Sequence, residues 1–296
     1  MSEASPASGF NEKRSLTMGL CAVLLWSTVA TGFKLGLELL SVLQLLWLGT
    51  LISLVVFFLY GIFTNQLTPS KRLLSESFIL GMINPVVYYI ILFAAYDRLP
   101  AHIAQPLNYT WAITLALLAI PILGQKLSRN MIVGILLSYA GVFLLLTVAA
   151  PHAESSLSSL GVVLALLSTL LWATYWLLNT RWQHPPAALM FWSFSWASVI
   201  LTGLVAIFDR FPDLSGNILF YGAWVGAIEM GVTFILWQSA MRTTQHVGRL
   251  GQLIFLSPFI SLLIIGQVLE ENISAYAYVS LLAIVAGIAI SQRDPT

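Results

Sequence analysis

"LLWSTVATG" runs from Leu24 to Gly32, and "LLWATYWLL", from Leu170 to Leu178, repeats its Leu-Leu-Trp-small-Thr signature almost half of the 296-residue chain later. A signature that returns at such a distance reports architecture before chemistry. The medium in which that architecture forms follows from composition: 58% of residues are hydrophobic, 8% are charged and the mean hydropathy is +0.88. So few charges cannot solvate the surface of a globule of this size, which places the chain in a lipid bilayer.

Apolar runs of about 20 residues, enough to cross a hydrocarbon core as helices, are separated by charged or Pro/Gly-containing connectors. Ten such spans are read: Leu16 to Gly36, Val42 to Phe63, Ser77 to Tyr96, Ala101 to Leu123 and Met131 to Ala149, then Leu160 to Thr180, Ala187 to Phe208, Ile218 to Met241, Val247 to Leu269 and Ala275 to Ser291. The runs are continuous and lack period-two alternation, which favours helices over barrel strands. The fold class expected is an all-α membrane protein.

Ten spans put both ends of the chain on one side. Making that side cytoplasmic gathers Lys13, Arg14, Lys71, Arg72, Lys126, Arg129, Arg181, Arg242, Arg249 and Arg293 inside and leaves Lys34, Arg98 and Arg210 outside, as the positive-inside rule favours. Lys34 is then expected to snorkel to the outer surface. Lys13 and Arg14 before an apolar run also resemble the start of a cleavable signal. Trp26 argues against that reading, because its counterpart Trp172 lies in an internal span. Cys21, the single cysteine, supports neither a disulfide framework nor a thiolate metal site. The net charge of +1 gives no nucleic-acid footprint.

The internal similarity extends beyond tryptophan. "GMIN" at Gly81 to Asn84 corresponds to "GAIE" at Gly226 to Glu229, and "AHIAQPLN" at Ala101 to "QHVGRLGQ" at Gln245. "GQKL" at Gly124 corresponds to "GQVL" at Gly266, and Ala140-Gly141 to Ala286-Gly287. The order is the same throughout, so the chain reads as a duplication of five helices. Five is odd, and the second copy must therefore enter the membrane from the opposite face. The expected organisation is a tail over 1–14, one five-helix repeat over 15–150, its inverted copy over 151–292 and a tail over 293–296. Two similar halves of opposite polarity suit a carrier that opens a shared chamber to each side in turn.

The "LLWST" and "LLWAT" openings and the "GQKL" and "GQVL" ends of the fourth and ninth spans make the chain resemble the drug/metabolite transporter superfamily, whose ten-helix members are duplicated EamA units. Within it the chain is most similar to bacterial inner-membrane exporters of aromatic amino acids. The resemblance implies export of phenylalanine, tyrosine, tryptophan and also methionine or threonine through a cavity lined by the third, fourth, eighth and ninth helices. It implies a multi-pass inner-membrane protein whose partners are lipid and a small solute. No cofactor, metal or nucleic acid is expected, and the oligomeric state is left open.

Polar and aromatic side chains at membrane depth are the candidates for the solute path, because a polar group in hydrocarbon needs a partner or a wet cavity. On the third span Asn84 and Tyr88, four apart, would share a helix face; Glu229 and Thr233 are their counterparts on the eighth, with Trp237 one turn further. On the fourth span Ala104, Asn108 and Trp111 form a stripe that the ninth repeats as Gly248, Gln252 and Phe255, and the two stripes would face each other. Pro106 and Pro258 would kink these helices. Trp26, Trp172 and Tyr175 would complete an aromatic lining able to stack on a ring or attract an ammonium group.

Each candidate has a plainer role open to it. Trp26, Trp111 and Trp172 can pack helices or meet lipid, and Trp47 and Trp224 can sit in an interfacial belt. Asn84, Asn108 and Gln252 can bond one helix to another. Glu229, the only acidic residue well inside a span, can hold a proton, meet a substrate ammonium, or bond a neighbouring helix. His102 and His246 open helices near opposite faces and serve either as gate residues or as solvated loop groups. The GxxxG pairs Gly32/Gly36 and Gly222/Gly226 allow close helix contact. No HExxH, Asp-rich motif, nucleophile with a base, or phosphate-cradling loop supports an enzyme. Repeated polar rings of the kind that build channels are missing too. Drug, cation or sugar-nucleotide transport is the rival within carriers.

Overall fold

Short polar connectors set the helix starts. Ser41 accepts a bond from the Gln44 amide at 3.2 Å while Gln44 Oε1 accepts one from the Ser41 amide at 3.1 Å, a capping box that opens the second span. Ser70 and Ser158 cap the third and sixth spans in the same one-sided way, each accepting an amide three residues on at 3.1 Å. Between such caps the apolar runs have nothing in lipid to bond except their own backbone, which makes them helices.

The computed structural model describes residues 11–111, 113–115, 117–118, 129–149, 157–182, 184–244 and 253–291, and no strand occurs among them. The first span is α1 (Glu12–Trp26) and α2 (Val29–Leu39), and the second is α3 (Val42–Thr64). The third is α4 (Lys71–Gly81), a widened π segment (Met82–Val87) and α5 (Tyr88–Arg98). The fourth begins with α6 (Ala101–Tyr109) and is described only in part beyond it, and the fifth is α7 (Arg129–Leu144). A π turn (Leu145–Ala149) ends the fifth span; in the second half α8 (Ser159–Arg181) and α9 (Pro186–Phe208) precede a span built from α10 (Gly216–Ala223), a longer π segment (Trp224–Val232) and α11 (Thr233–Thr243). The last two are α12 (Leu256–Val268) and α13 (Ala275–Ser291). Six of the described spans are long and apolar enough to cross a membrane, and three shorter apolar helices, 132–147, 256–268 and 275–290, accompany them.

The duplication is inverted, and contacts between corresponding helices show it. The start of α3 meets the end of α9, where Ser41 bonds Asp209 and Gln44 donates to the Arg210 carbonyl at 2.9 Å. The end of α3 meets the start of α9, with Phe58 and Phe191 ring centroids 5.7 Å apart. These equivalent helices of the two halves therefore run antiparallel. The α7–α13 pair does the same: a Cβ on Gly141 would lie 2.7 Å from the Ser280 carbonyl oxygen, and one on Gly287 2.4 Å from that of Gly134. The Ala-Gly match in the sequence thus becomes a reciprocal backbone contact. The expected GxxxG pairs are contacts as well, since Gly222 and Gly226 press on Leu48 and Gly49 of α3, and Gly32 and Gly36 on Trp224 and Leu45.

The two signature stretches differ locally. After Trp26, the Ser27 hydroxyl donates to the Val23 carbonyl and the Thr28 hydroxyl to that of Leu25, competing for carbonyls the helix would use and bending the span between α1 and α2. In the second copy Ala173 removes one of these hydroxyls, and α8 runs unbroken through Trp172.

Pro258 lies in the first turn of α12, directly after a 3-10 turn over Leu253–Phe255, and Pro106 lies inside α6, which ends three residues on at Tyr109. A further break, not read from the sequence, falls at Pro85, beside Asn84, whose torsions of −144° and 118° are extended.

Candidate functional site

The rings of the two signature stretches meet in the protein interior. Trp172, 8% exposed, lies 4.8 Å from Tyr88, stacks on Tyr175 at 5.8 Å and approaches Phe234 at 5.9 Å and Trp111 at 6.4 Å, centroid to centroid. Trp26 is half-buried and lies 5.4 Å from Trp237 and 6.1 Å from the same Phe234. Phe234, at the start of α11, joins the aromatic groups of the two repeats. Edge-to-face and tilted pairs of this kind add about 0.5–1.5 kcal/mol each beyond area burial. The sequence reading missed Phe234 because one more phenylalanine in an apolar run carries no signal of its own.

Beside this cluster the third and eighth spans both lose α-helical regularity at corresponding points, and each carries its deep polar residue there. Wide π turns expose carbonyls and re-aim side chains, and they recur at functional positions. Asn84 is fully buried, and neither of its amide atoms has a protein partner. The Tyr175 hydroxyl is its polar neighbour. The extended torsions of Asn84 set aside the helical-face argument that paired it with Tyr88. Glu229, 7% exposed, accepts a bond from the Tyr89 hydroxyl at 2.9 Å on one oxygen, and its other oxygen has no protein partner. Tyr89, a neighbour of the singled-out Tyr88, belongs to the first repeat. The bond therefore crosses between the copies, a long-range pairing that sequence spacing cannot disclose. Thr233 bonds back to the Ile228 carbonyl at the end of its own π segment.

Asn108 does not stand free in a chamber. Its amide donates to Ser168 Oγ at 2.9 Å and reaches Tyr88 at 3.4 Å, tying the fourth span to the sixth and third. Trp111 is half-buried against the core, and Ala104 is fully buried. Trp224 packs on Gly32 and donates its indole N–H to Thr28 at 3.1 Å, a helix-packing role in place of an interfacial one. Gln252, His246, Gly248 and the side chain of Phe255 lie outside the described residues, so the stripe expected on the ninth span has no described counterpart to α6.

His102 is 3% exposed, not a solvated loop group. Its Nδ1 meets the carboxylate of Glu271, in the connection from α12 to α13, and the backbone amides of Ala101 and His102 donate to the same carboxylate at 2.8 and 3.1 Å. Ionised carboxylate oxygens only accept, so the hydrogen is on Nδ1. Burial pushes the Glu271 carboxyl up, but the imidazole and the two amides outweigh it and hold it below the usual carboxylate range. Lys34 does not merely snorkel. Its ammonium donates to the carbonyls of Tyr96 at 2.7 Å and Leu99 at 3.1 Å, closing the end of α5. Lys34, Asp97, Arg98, His102, Glu271 and Asn272 line an open cavity of about 440 Å³. At the opposite end of the bundle His184 bonds Glu76, which also accepts from Arg72 at 2.9 Å.

Among the described residues no cluster of His, Cys, Asp and Glu could hold a metal ion. The sequence model of the EamA-like transporter family matches the chain twice, over residues 13–147 and 159–292. Protein PecM of Dickeya dadantii (strain 3937) is 24% identical over 220 residues, covering 73% of this chain and 72% of PecM. A solved crystal structure shares the fold at a TM-score of 0.69, with 20% identity over 95% of this chain and 97% of the other.

Proposed function

The chain belongs to the EamA-like transporter family, and from that premise we propose that it is a secondary exporter of amino acids. The aromatic ones, as in the exporter YddG, come first, with methionine and threonine alongside. It works by alternating access in a bacterial inner membrane with both termini cytoplasmic, an orientation that rests on the distribution of Lys and Arg. Repeats over 15–150 and 151–292 rock about the shared interior and carry the solute between them.

The observation that carries this reading is the set of groups at the π segments of the third and eighth spans: one carboxylate oxygen of Glu229 and both amide atoms of Asn84, all buried and short of a well-formed protein bond, with the Trp26 indole and the Tyr175 hydroxyl as polar neighbours, beside a wall of Trp26, Tyr88, Trp111, Trp172, Tyr175 and Phe234. A carboxylate suits an ammonium, an amide suits a carboxylate, and rings suit an aromatic side chain. Gln252 and Phe255, at the start of the ninth span, are assigned to the same lining, and His102 and His246 to its gates. The reading distributes the three parts of an aromatic amino acid over both repeats.

Transport of a drug cation or another metabolite is the second reading, because a single carboxylate among rings also suits a cation. Purified protein in liposomes decides between them. Uptake of phenylalanine, tyrosine, tryptophan, methionine and threonine is compared with that of a lipophilic cation, with and without a pH gradient. Saturable amino-acid uptake whose apparent KM rises in Glu229→Gln supports the proposal. Uptake of the cation alone replaces it. Amino-acid uptake that persists in the absence of a pH gradient identifies a facilitator.

A further inference from the structure

The connection holding Glu271 belongs to the second repeat and α6 to the first, so the Glu271 carboxylate fastens one copy to the other with three donors: the imidazole of His102 and the amides of Ala101 and His102. A negative group at a helix start is favoured by the helix dipole as well as by these bonds. The fastening sits at the boundary between wet and dry. On one side is the open cavity rimmed by Lys34, Asp97 and Arg98; on the other are residues that are almost wholly buried.

Behind it α2, α6 and α12 pack on one another, and their buried polar atoms include four without a protein partner. These are Thr31 Oγ1 on α2, His102 Nε2 and Gln105 Oε1 on α6, and Ser261 Oγ on α12. The exposures of these residues are between 0% and 4%. A junction meant to remain shut in lipid would pair such atoms, since a buried polar group left unpaired is costly. A junction that opens to water satisfies them in its other state. The costs point the same way: the unpaired atoms disfavour the closed junction, and the Glu271 bonds hold it closed.

We propose that Glu271 and His102 form the outer latch of the carrier, and that the route to the exterior runs through the α2–α6–α12 junction past Thr31, Gln105 and Ser261. Glu271 acts through α6 as a positioning residue and does not touch the solute. The assignment of this junction to the outside rests on the orientation given under the proposed function; the latch itself does not.

Cysteine accessibility in proteoliposomes tests it. In a Cys21→Ser background, Ser261→Cys places a near-isosteric reporter behind the latch, and Ser138→Cys places a control in the α7–α13 seam, where Ser138 is fully buried and bonds the Ile284 carbonyl. A membrane-impermeant thiol reagent is applied from outside. Glu271→Ala is expected to speed labelling at Ser261→Cys about tenfold or more, the factor that losing one charge-assisted hydrogen bond brings to a two-state equilibrium. Labelling at Ser138→Cys stays slow, and His102→Ala gives a smaller increase at Ser261→Cys. Unchanged labelling at Ser261→Cys with a lowered melting temperature makes Glu271 an ordinary helix cap and overturns the latch. Faster labelling at both reporters means general loosening and overturns it as well. Faster labelling at Ser261→Cys only when the reagent is trapped inside the vesicle overturns the outward assignment, and with it the orientation in the proposed function, while transport of amino acids would stand.

Discussion

The third and eighth spans are the same element written twice, and they differ where it matters most. Both give up α-helical geometry at corresponding points, Met82–Val87 and Trp224–Val232. In the first copy Pro85 breaks the run and leaves Asn84 extended and unpartnered. In the second no proline intervenes. Gly226 and Gly231 border the wide turn, and a Cβ on Gly226 would lie 2.4 Å from the Gly49 carbonyl oxygen of α3. The two copies thus reach a similar backbone interruption by different means, and they equip it with different chemistry. An ionisable carboxyl is present on one side only, bonded by a tyrosine from the other copy. One deep carboxyl without a symmetric mate accords with the proposed solute, which bears a single ammonium group.

The sharpest way to break this comparison is to exchange the two residues. Glu229→Gln should raise the apparent KM for an amino acid about 10- to 100-fold in proteoliposome uptake, the range for loss of a buried hydrogen bond to a charged group. The double variant Asn84→Asp with Glu229→Asn should not recover it, because position 84 lies on extended backbone at the Pro85 break whereas Glu229 lies within a continuous π segment. Recovery would show the two breaks to be interchangeable. Next in size is packing. Gly226→Ala and Gly81→Ala each drive a methyl group against a backbone oxygen 2.4 Å away, that of Gly49 or of Ser193, and each should cost about 1–3 kcal/mol as overpacking, measured as a lower melting temperature in detergent. Unequal losses would reveal that one break is the more rigid.

Tyr89→Phe follows, at about 1–2 kcal/mol, since it strips the 2.9 Å hydroxyl bond from Glu229 and leaves the Trp26 indole as the remaining polar neighbour of a buried carboxyl. The smallest effect on folding is expected at Asn84→Ala. No amide atom of Asn84 makes a well-formed protein bond, and only the Tyr175 hydroxyl neighbours it, so stability should fall by about 1 kcal/mol or less, while the KM for a zwitterionic solute rises. A large drop in melting temperature instead would assign Asn84 to structure.

The spans, the duplication and its inversion were legible because hydropathy, charge and colinear matches are properties of the chain alone. Trp26 and Trp172 could be singled out from their repetition, and Glu229 from its solitude in an apolar run. What escaped depends on which distant residues meet. Glu271 sits in a polar connector, where a carboxylate is unremarked, and becomes informative only beside the start of α6. Phe234 and Tyr89 matter through partners about 60 and 140 residues or more away in sequence. For Asn108 the sequence leaves both a chamber amide and a helix-to-helix bond open, because its stripe of one small, one amide and one aromatic residue fits either. Its bond to Ser168 reflects the approach of the sixth span, which no local pattern encodes. Pro85 was passed over beside Pro106 and Pro258, because the chain alone does not show at which proline the backbone turns extended.

The paired glycines of α7 and α13 carry a last consequence. At Gly141 the Ser280 carbonyl and the Ile284 side chain, and at Gly287 the Gly134 carbonyl and the Ser138 hydroxyl, fill the space a Cβ would need, so the two helices meet there at close to the shortest distance backbones allow. So close a crossing is expected to tilt as one unit, and spin labels attached on either side of it should keep their separation while the rest of the molecule moves.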